Sequence, residues 1–171
     1  MGRGIQGLIV LVGLGLAIGM ATPSGARAQA KENSIAIVGG VYTFNEFQGD
    51  TDPVIGARWT SFFAPNVGAG ASFDWIPAGN GVTVLGYDVD LVLRVPTRTT
   101  TEPFFTLGAG GITFTGGGAT NTYFAGILGA GVRTSVAENV ELVFEARDRI
   151  YHVTGDLIND FHFTGGVEFP F

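Results

Sequence analysis

The sequence predicts an all-β protein: an eight-stranded antiparallel up-and-down β-barrel that spans a membrane, preceded by a cleaved signal peptide. Three observations carry this expectation. The chain after residue 30 divides into alternating segments of about ten residues separated by turn residues, the pattern of a transmembrane barrel. One segment sets Asp88, Asp90 and Arg94 against Leu85, Tyr87, Val89, Leu91, Leu93 and Val95. A charge at mid-bilayer costs about 2–4 kcal/mol, so the charged face must point into a lumen. The chain ends on Phe161, Phe163, Gly165, Val167, Phe169 and Phe171 on one face, with His162, Thr164, Gly166, Glu168 and Pro170 on the other. Such period-two alternation is a strand. Its row of aromatics is an aggregation hazard in water and a lipid contact in a bilayer.

Composition agrees. A length of 171 residues suits one domain. Glycine is abundant, 28 residues without a G-X-Y period, so collagen is excluded. Cysteine is absent. A small exported domain without disulfides needs another source of rigidity, and a closed barrel supplies it by pairing every backbone donor and acceptor around the ring. Arg3 and Arg27, two of the nine basic residues, fall in the leader, whereas all 15 acids follow residue 31. The remaining chain is strongly acidic, which argues against nucleic acid as a partner.

Residues 1–30 read as the signal peptide. Arg3 supplies the positive start, Ile5 to Ala21 the uncharged apolar run, and Ala28-Gln29-Ala30 the cleavage site. Ala26-Arg27-Ala28 is a second possible site. The apolar run is shorter than the roughly 20 residues of a membrane-spanning helix. The barrel domain is then 31–171.

The strands follow in order. The first, about Ser34 to Phe44, has two apolar or small faces, so periodicity leaves its orientation open. Asn45 to Pro53 is polar and acidic and reads as a loop. The second, Val54 to Phe63, sends Ile55, Ala57, Trp59, Ser61 and Phe63 one way and Gly56, Arg58 and Thr60 the other. After the turn Ala64-Pro65-Asn66, the third, Val67 to Ile76, sets Val67, Ala69, Ala71, Phe73 and Trp75 against Gly68, Gly70, Ser72 and Asp74. Residues 77–81 turn the chain into the fourth, Val82 to Val95, already described. Pro96 to Glu102 is the next turn. The fifth, Pro103 to Phe114, is uncharged and its faces are ambiguous. Thr115 to Asn121 reads as a glycine-rich loop. The sixth, Thr122 to Val136, opposes Phe124, Leu128, Ala130 and Val132 to Tyr123, Gly129, Gly131 and Arg133. The seventh, Val140 to Tyr151, opposes Val140, Leu142, Phe144, Ala146 and Ile150 to Glu141, Glu145, Arg147 and Arg149. Asp148 falls on the apolar face, which places it above the hydrocarbon. His152 to Asp160 reads as a loop before the closing strand. Connections after the odd strands read as mostly longer than those after the even ones, the asymmetry of extracellular loops and periplasmic turns.

These features resemble the small eight-stranded outer-membrane β-barrels of the OmpA/OmpX kind. The leader, the aromatic closing strand, the glycine-rich segment from Phe104 to Phe114 and the Glu145-Ala146-Arg147-Asp148 run carry the resemblance over essentially the whole mature chain. It implies residence in the bacterial outer membrane among its lipids, with Phe169 and Phe171 read as an assembly signal by the barrel-insertion machinery. A monomer is the expected state. Such barrels host unrelated functions, so the resemblance leaves activity open.

Chemistry is sparse. Gly108-Ala109-Gly110-Gly111 and Gly116-Gly117-Gly118 precede strands, not the helix that a phosphate loop requires, so close packing explains them. His152, Thr154 and Glu168 invite comparison with an outer-membrane lipid A deacylase family that uses His, Ser and Glu. Here Thr stands for Ser, and it is a poor nucleophile without a dedicated base. Asp50, Asp52, Asp156 and Asp160 match no calcium-loop spacing and read as a solvated acidic rim. No cofactor, metal site or catalytic residue is expected. Alternation instead places Arg58, Arg94, Arg133, Arg147 and Arg149 in the lumen with Asp74, Asp88, Asp90, Glu141, Glu145 and Glu168. An eight-stranded ring is only wide enough for side chains to fill it, and buried charges must pair. The expectation is a non-enzymatic barrel with a structural or loop-mediated role and an Arg–carboxylate plug. The alternatives are a lipid-modifying enzyme and a small pore.

Overall fold

The computed structural model describes residues 33–45, 50–79 and 81–171. The signal peptide expected over residues 1–30 lies outside the described residues. Eight strands run β1 (Asn33–Phe44), β2 (Asp50–Ala64), β3 (Val67–Ile76), β4 (Thr83–Arg94), β5 (Thr101–Gly116), β6 (Ala119–Ala137), β7 (Val140–Val153) and β8 (Asp156–Pro170). Each pairs antiparallel with its sequence neighbour, and β1 pairs with β8, which closes the ring. The Phe171 amide donates to the Asn33 carbonyl at 2.8 Å beyond the last ladder pair. Closure leaves no unpaired strand edge, as a bilayer requires.

Alternation is realised on all eight strands. Ile35, Ile37, Ile55, Trp59, Phe73, Trp75, Val89, Leu107, Phe144, Phe163 and Phe169 are exposed on the outer face. Register settles the two orientations that periodicity left open. β1 buries Ser34, Ala36, Val38, Tyr42 and Phe44, and β5 buries Phe104, Thr106 and Ile112. Parts of the lumen are themselves apolar, so those strands lack the polar contrast that reveals a face.

Several expected loops are strand. The segment 115–121 is mostly paired, from Thr115↔Thr120 to Gly116↔Ala119, around a two-residue turn. Gly117 and Gly118 have φ of 60° and 81°, the left-handed pair that a tight hairpin demands. The segment 152–160 likewise zips up to Val153↔Asp156, with Thr154 at φ 50° and Gly155 at φ 97°. β2 begins at Asp50 rather than Val54, and β5 at Thr101 rather than Pro103. Polar threonines continue a ladder as well as apolar residues do. Thr113–Thr122 side chains meet at 2.9 Å and Thr115–Thr120 at 3.5 Å. The expected length asymmetry between the two ends is therefore largely lost. The third and fourth connections of the far end, after β5 and β7, are as tight as the turns after β2 and β6 beside the chain termini.

Candidate functional site

The lumen is the only part of the described structure that concentrates polar chemistry, and it is layered. At the end remote from the termini, Tyr42, Phe44, Val54, Ile76, Val84, Ile112, Ala125, Ile127 and Tyr151 form an apolar cluster, with Phe114, Tyr123, Val153 and Ile158 packed against it. Its rings interlock: Tyr42–Phe44 centroids are 4.6 Å apart, Phe114–Tyr123 6.0 Å and Tyr123–Tyr151 5.8 Å. Inter-ring distances of 4.5–7 Å are those of favourable aromatic packing.

Beneath this cap lies the main ion network. Arg149 reaches Asp88 at 2.8 Å and Asp74 at 3.3 Å. Arg147 contacts Asp88 at 2.8 Å, Asp90 at 3.1 Å and Glu145 at 2.8 Å. Arg58 holds Asp74 at 2.7 Å and stands 3.7 Å from Glu145. The Ser72 hydroxyl donates to Asp88, and Thr106 donates to Glu145 at 3.3 Å. Arg149 and Asp74 are fully buried, and the other members nearly so. β2, β3, β4 and β7 thus tie across the lumen, because their inward positions at one level carry opposite charges.

Toward the termini, Ala36, Val38, Phe62, Val92, Phe104 and Val143 form a second apolar cluster. Arg94 stacks 3.4 Å above the Phe62 ring and lies 3.8 Å from Glu102. Arg133 meets Glu168 at 2.7 Å and Glu141 at 3.5 Å. Glu168 also accepts from the Ser34 hydroxyl. The eleven lumenal charges named from alternation project inward, and the ion pairs sort them into the main network, the trio Arg133, Glu141 and Glu168, and Arg94 with Glu102.

Two inward carboxylates escaped the sequence reading. Glu102 fell in a segment read as a turn. Asp160 fell in a segment read as a loop and counted with the acidic rim; instead it is fully buried. Its Oδ2 accepts from Tyr151 at 2.7 Å and from Tyr42 at 3.2 Å, and its Oδ1 accepts from the Asn45 amide at 3.0 Å. The signal that could have found it is parity with Phe161, since residue 160 must face opposite the lipid row. His162 is fully buried and stacks on Tyr42 with centroids 5.4 Å apart.

Inward glycines make room for this chemistry. A Cβ at Gly86 would land on the Arg149 guanidinium, one at Gly108 on the Asp90 carboxylate, and one at Gly129 on Thr106 and Arg147. The glycine-rich character of β5 is therefore a lumen requirement as much as a backbone one.

The hydrolase comparison fails on geometry. His152 pairs with Leu157 at the far end, Thr154 sits in the adjoining turn, and Glu168 pairs with Glu141 near the termini. The three side chains share no site. Among the described residues, no three His, Asp or Glu are grouped as a metal ion needs.

A family model described as outer membrane protein beta-barrel domain matches residues 12–171. The chain belongs to that family. Its place is the bacterial outer membrane. No curated protein matches the sequence. Among solved structures, the chain resembles Neisserial surface protein A, with a TM-score of 0.64 at 12% identity over 84% of this chain and 100% of the other. It resembles the N-terminal β-barrel domain of Pseudomonas aeruginosa OprF equally, at 0.64 and 16% over 82% and 98%. The outer-membrane enzyme PagL follows at 0.54 and 15% over 81% and 99%. At such identities the likeness is one of fold.

Proposed function

We propose that this outer-membrane barrel is a non-conducting, non-enzymatic envelope protein, whose lumen serves stability and whose recognition surface is the far, extracellular end. One observation carries the reading: the aromatic cap, the ion pairs and the lower apolar cluster occupy the lumen at successive levels and leave between the ion pairs a cavity of only about 30 Å³, lined by Arg58, Asp90, Glu145, Arg147, Arg133 and Glu168. A water channel through an eight-stranded ring needs free width that these contacts occupy. Both termini then face the periplasm. Phe169 and Phe171 serve assembly, and the barrel acts as a monomer.

Planar-bilayer recording tests the plug. The purified barrel is expected to give no steady conductance, only small or rare events at most. A large, steady current means the charges line a water path and the plug is wrong. The enzymatic alternative has its own test. His152→Ala and Thr154→Ala are expected to leave lipid A acylation unchanged in intact cells, because neither residue meets Glu168. Loss of an acyl chain in wild-type cells that depends on either residue overturns that part of the reading.

A further inference from the structure

Seven of the eight strand pairs are joined by a connection, and the turn of a hairpin sets its register. The eighth pair, β1 with β8, closes the ring without one. Ser34 and Glu168, which meet there, are 134 residues apart in the chain. The register of this pair must come from the two strands themselves. A slip of one residue turns the lipid-facing side chains into the lumen, so burial excludes it. A slip of two keeps every face. The outer pairs Ile35–Phe169, Ile37–Val167 and Val41–Phe163 would then exchange one apolar neighbour for another. The middle of the seam adds little, because Gly39 stands opposite Gly165, with Gly40 and Gly166 beside them. The backbones approach closely there: a Cβ at Gly40 would strike the Phe163 carbonyl oxygen, and one at Gly166 that of Ile37. Glycine-rich pairing specifies register weakly.

Polar contacts cross the seam at its two ends. Near the termini, the buried Ser34 hydroxyl donates to Glu168. At the far end, the buried Tyr42 hydroxyl donates to Asp160 at 3.2 Å, and the Asn45 amide donates to the same carboxylate at 3.0 Å. Both carboxylates are also held from outside the seam, Glu168 by Arg133 of β6 at 2.7 Å and Asp160 by Tyr151 of β7 at 2.7 Å. Each is thus fixed on the β8 side independently of β1. A two-residue slip moves β1 by about 7 Å along β8, beyond hydrogen-bond reach. Both hydroxyls would lose their acceptors together.

We propose that Ser34 and Tyr42 are the register locks of ring closure: two β1 hydroxyls that read the preset carboxylates Glu168 and Asp160 and reject a β1–β8 pairing shifted by two residues. Stagger and width are linked in a barrel, so a shifted closure would change the lumen that the ion pairs and the aromatic cap occupy. The lipid-facing aromatics of β8 cannot supply this information, because hydrocarbon does not distinguish one apolar pairing from another. On this strand the outer face meets lipid and the inner face sets the closure.

The chain has no cysteine, so introduced pairs report the register directly. Val41→Cys is combined with Phe163→Cys, its native partner, or with Phe161→Cys or Gly165→Cys, its partners after a slip of two in either direction. Side chains directly opposite have Cβ atoms about 4.5–5.5 Å apart and those two residues off about 7–8 Å, so disulfide yield separates the registers. After refolding into lipid vesicles, the 41–163 disulfide is expected to exceed either slipped one by about tenfold or more, a ratio that about 1.4 kcal/mol gives. Ser34→Ala and Tyr42→Phe remove one hydroxyl each, and Phe keeps the stack on His162. Each is expected to lower the ratio roughly threefold and the two together about tenfold. Ser72→Ala, which removes a buried hydroxyl bonded to Asp88 away from the seam, is expected to leave it unchanged. Equal native and slipped yields in the otherwise wild-type chain overturn the proposal. So does a ratio that neither single substitution moves in protein with heat-modifiable migration on gels. A shift with Ser72→Ala as large as theirs overturns it too, since the effect is then one of general stability. If the double variant fails to fold, the single variants decide.

Discussion

Arg147→Met is the most informative single perturbation of the lumen. Methionine keeps the unbranched apolar stem of the side chain and removes the charged guanidinium. Arg147 bridges three carboxylates, and they do not lose equally. Asp88 keeps Arg149 at 2.8 Å and the Ser72 hydroxyl. Glu145 keeps Arg58 at 3.7 Å and Thr106 at 3.3 Å. Among the described residues Asp90 pairs only with Arg147, and it is 6% exposed. Stranding one buried charge costs about 3–5 kcal/mol, whereas replacing both partners of such a pair is often near neutral. Arg147→Met should therefore destabilise by about 3–5 kcal/mol. Asp90→Asn alone should cost less, because Arg147 retains two partners. The double variant should recover roughly 2 kcal/mol of the Arg147→Met loss, a coupling within the range for residues in contact. Urea unfolding in lipid vesicles reads this through Trp59 and Trp75, which lie on the outer face and report loss of the lipid contact. If Arg147→Met shifts stability by less than about 0.5 kcal/mol and is indifferent to Asp90→Asn, the network is solvated and the argument from burial fails.

Two further outcomes follow from the same coordinates. Gly86→Ala should destabilise by about 1–3 kcal/mol, since its Cβ meets the Arg149 guanidinium that Asp74 and Asp88 hold in place, whereas Gly126→Ala, with open space around its Cβ, should be neutral or slightly stabilising; equal effects in thermal unfolding would count against the lumen explanation of these glycines. Deleting Phe171 should reduce the membrane-assembled fraction more than Phe144→Leu does, with the heat-modifiable gel band as readout, and equal assembly would remove the proposed role of the terminal aromatic.

The fold was legible where the two faces differ in chemistry. β3 was bounded at Val67 and Ile76 as found, and β2 and β4 were read with the right residues inward, because charge or glycine alternates there with apolar bulk. β1 and β5 were illegible for a physical reason. Their inward residues belong to the apolar cap and the lower apolar cluster, so Tyr42, Phe44, Phe104 and Ile112 look from the sequence like lipid contacts. Ends were misread for another reason. Gly, Thr, Asn and Asp mark turns statistically, yet the ladder runs on through Thr113–Thr122 and Thr115–Thr120 until a left-handed pair stops it. Asp160 was lost through that error alone. Alternation revealed which charges turn inward, but not that they divide into separate groups, because the level of a residue along the axis depends on register.

That division bears on what the lumen can do. A continuous column of charges could rearrange into a wet path by exchanging partners along its length. Here the main network is bounded on one side by the interlocked Tyr42, Phe44, Phe114, Tyr123 and Tyr151. On the other side stand Phe62 and Phe104, with Arg94 and Arg133 over their rings. An Arg–carboxylate pair that opens in the middle still meets apolar side chains above and below it. Wetting those layers costs hydrophobic contact in addition to the broken pair, about 25 cal/mol for each Å² of apolar surface re-exposed. A defect confined to the charges therefore lowers stability before it creates a current. On the proposed reading the cap rather than the network is the barrier to ions, and the network ties β2, β3, β4 and β7 beneath it.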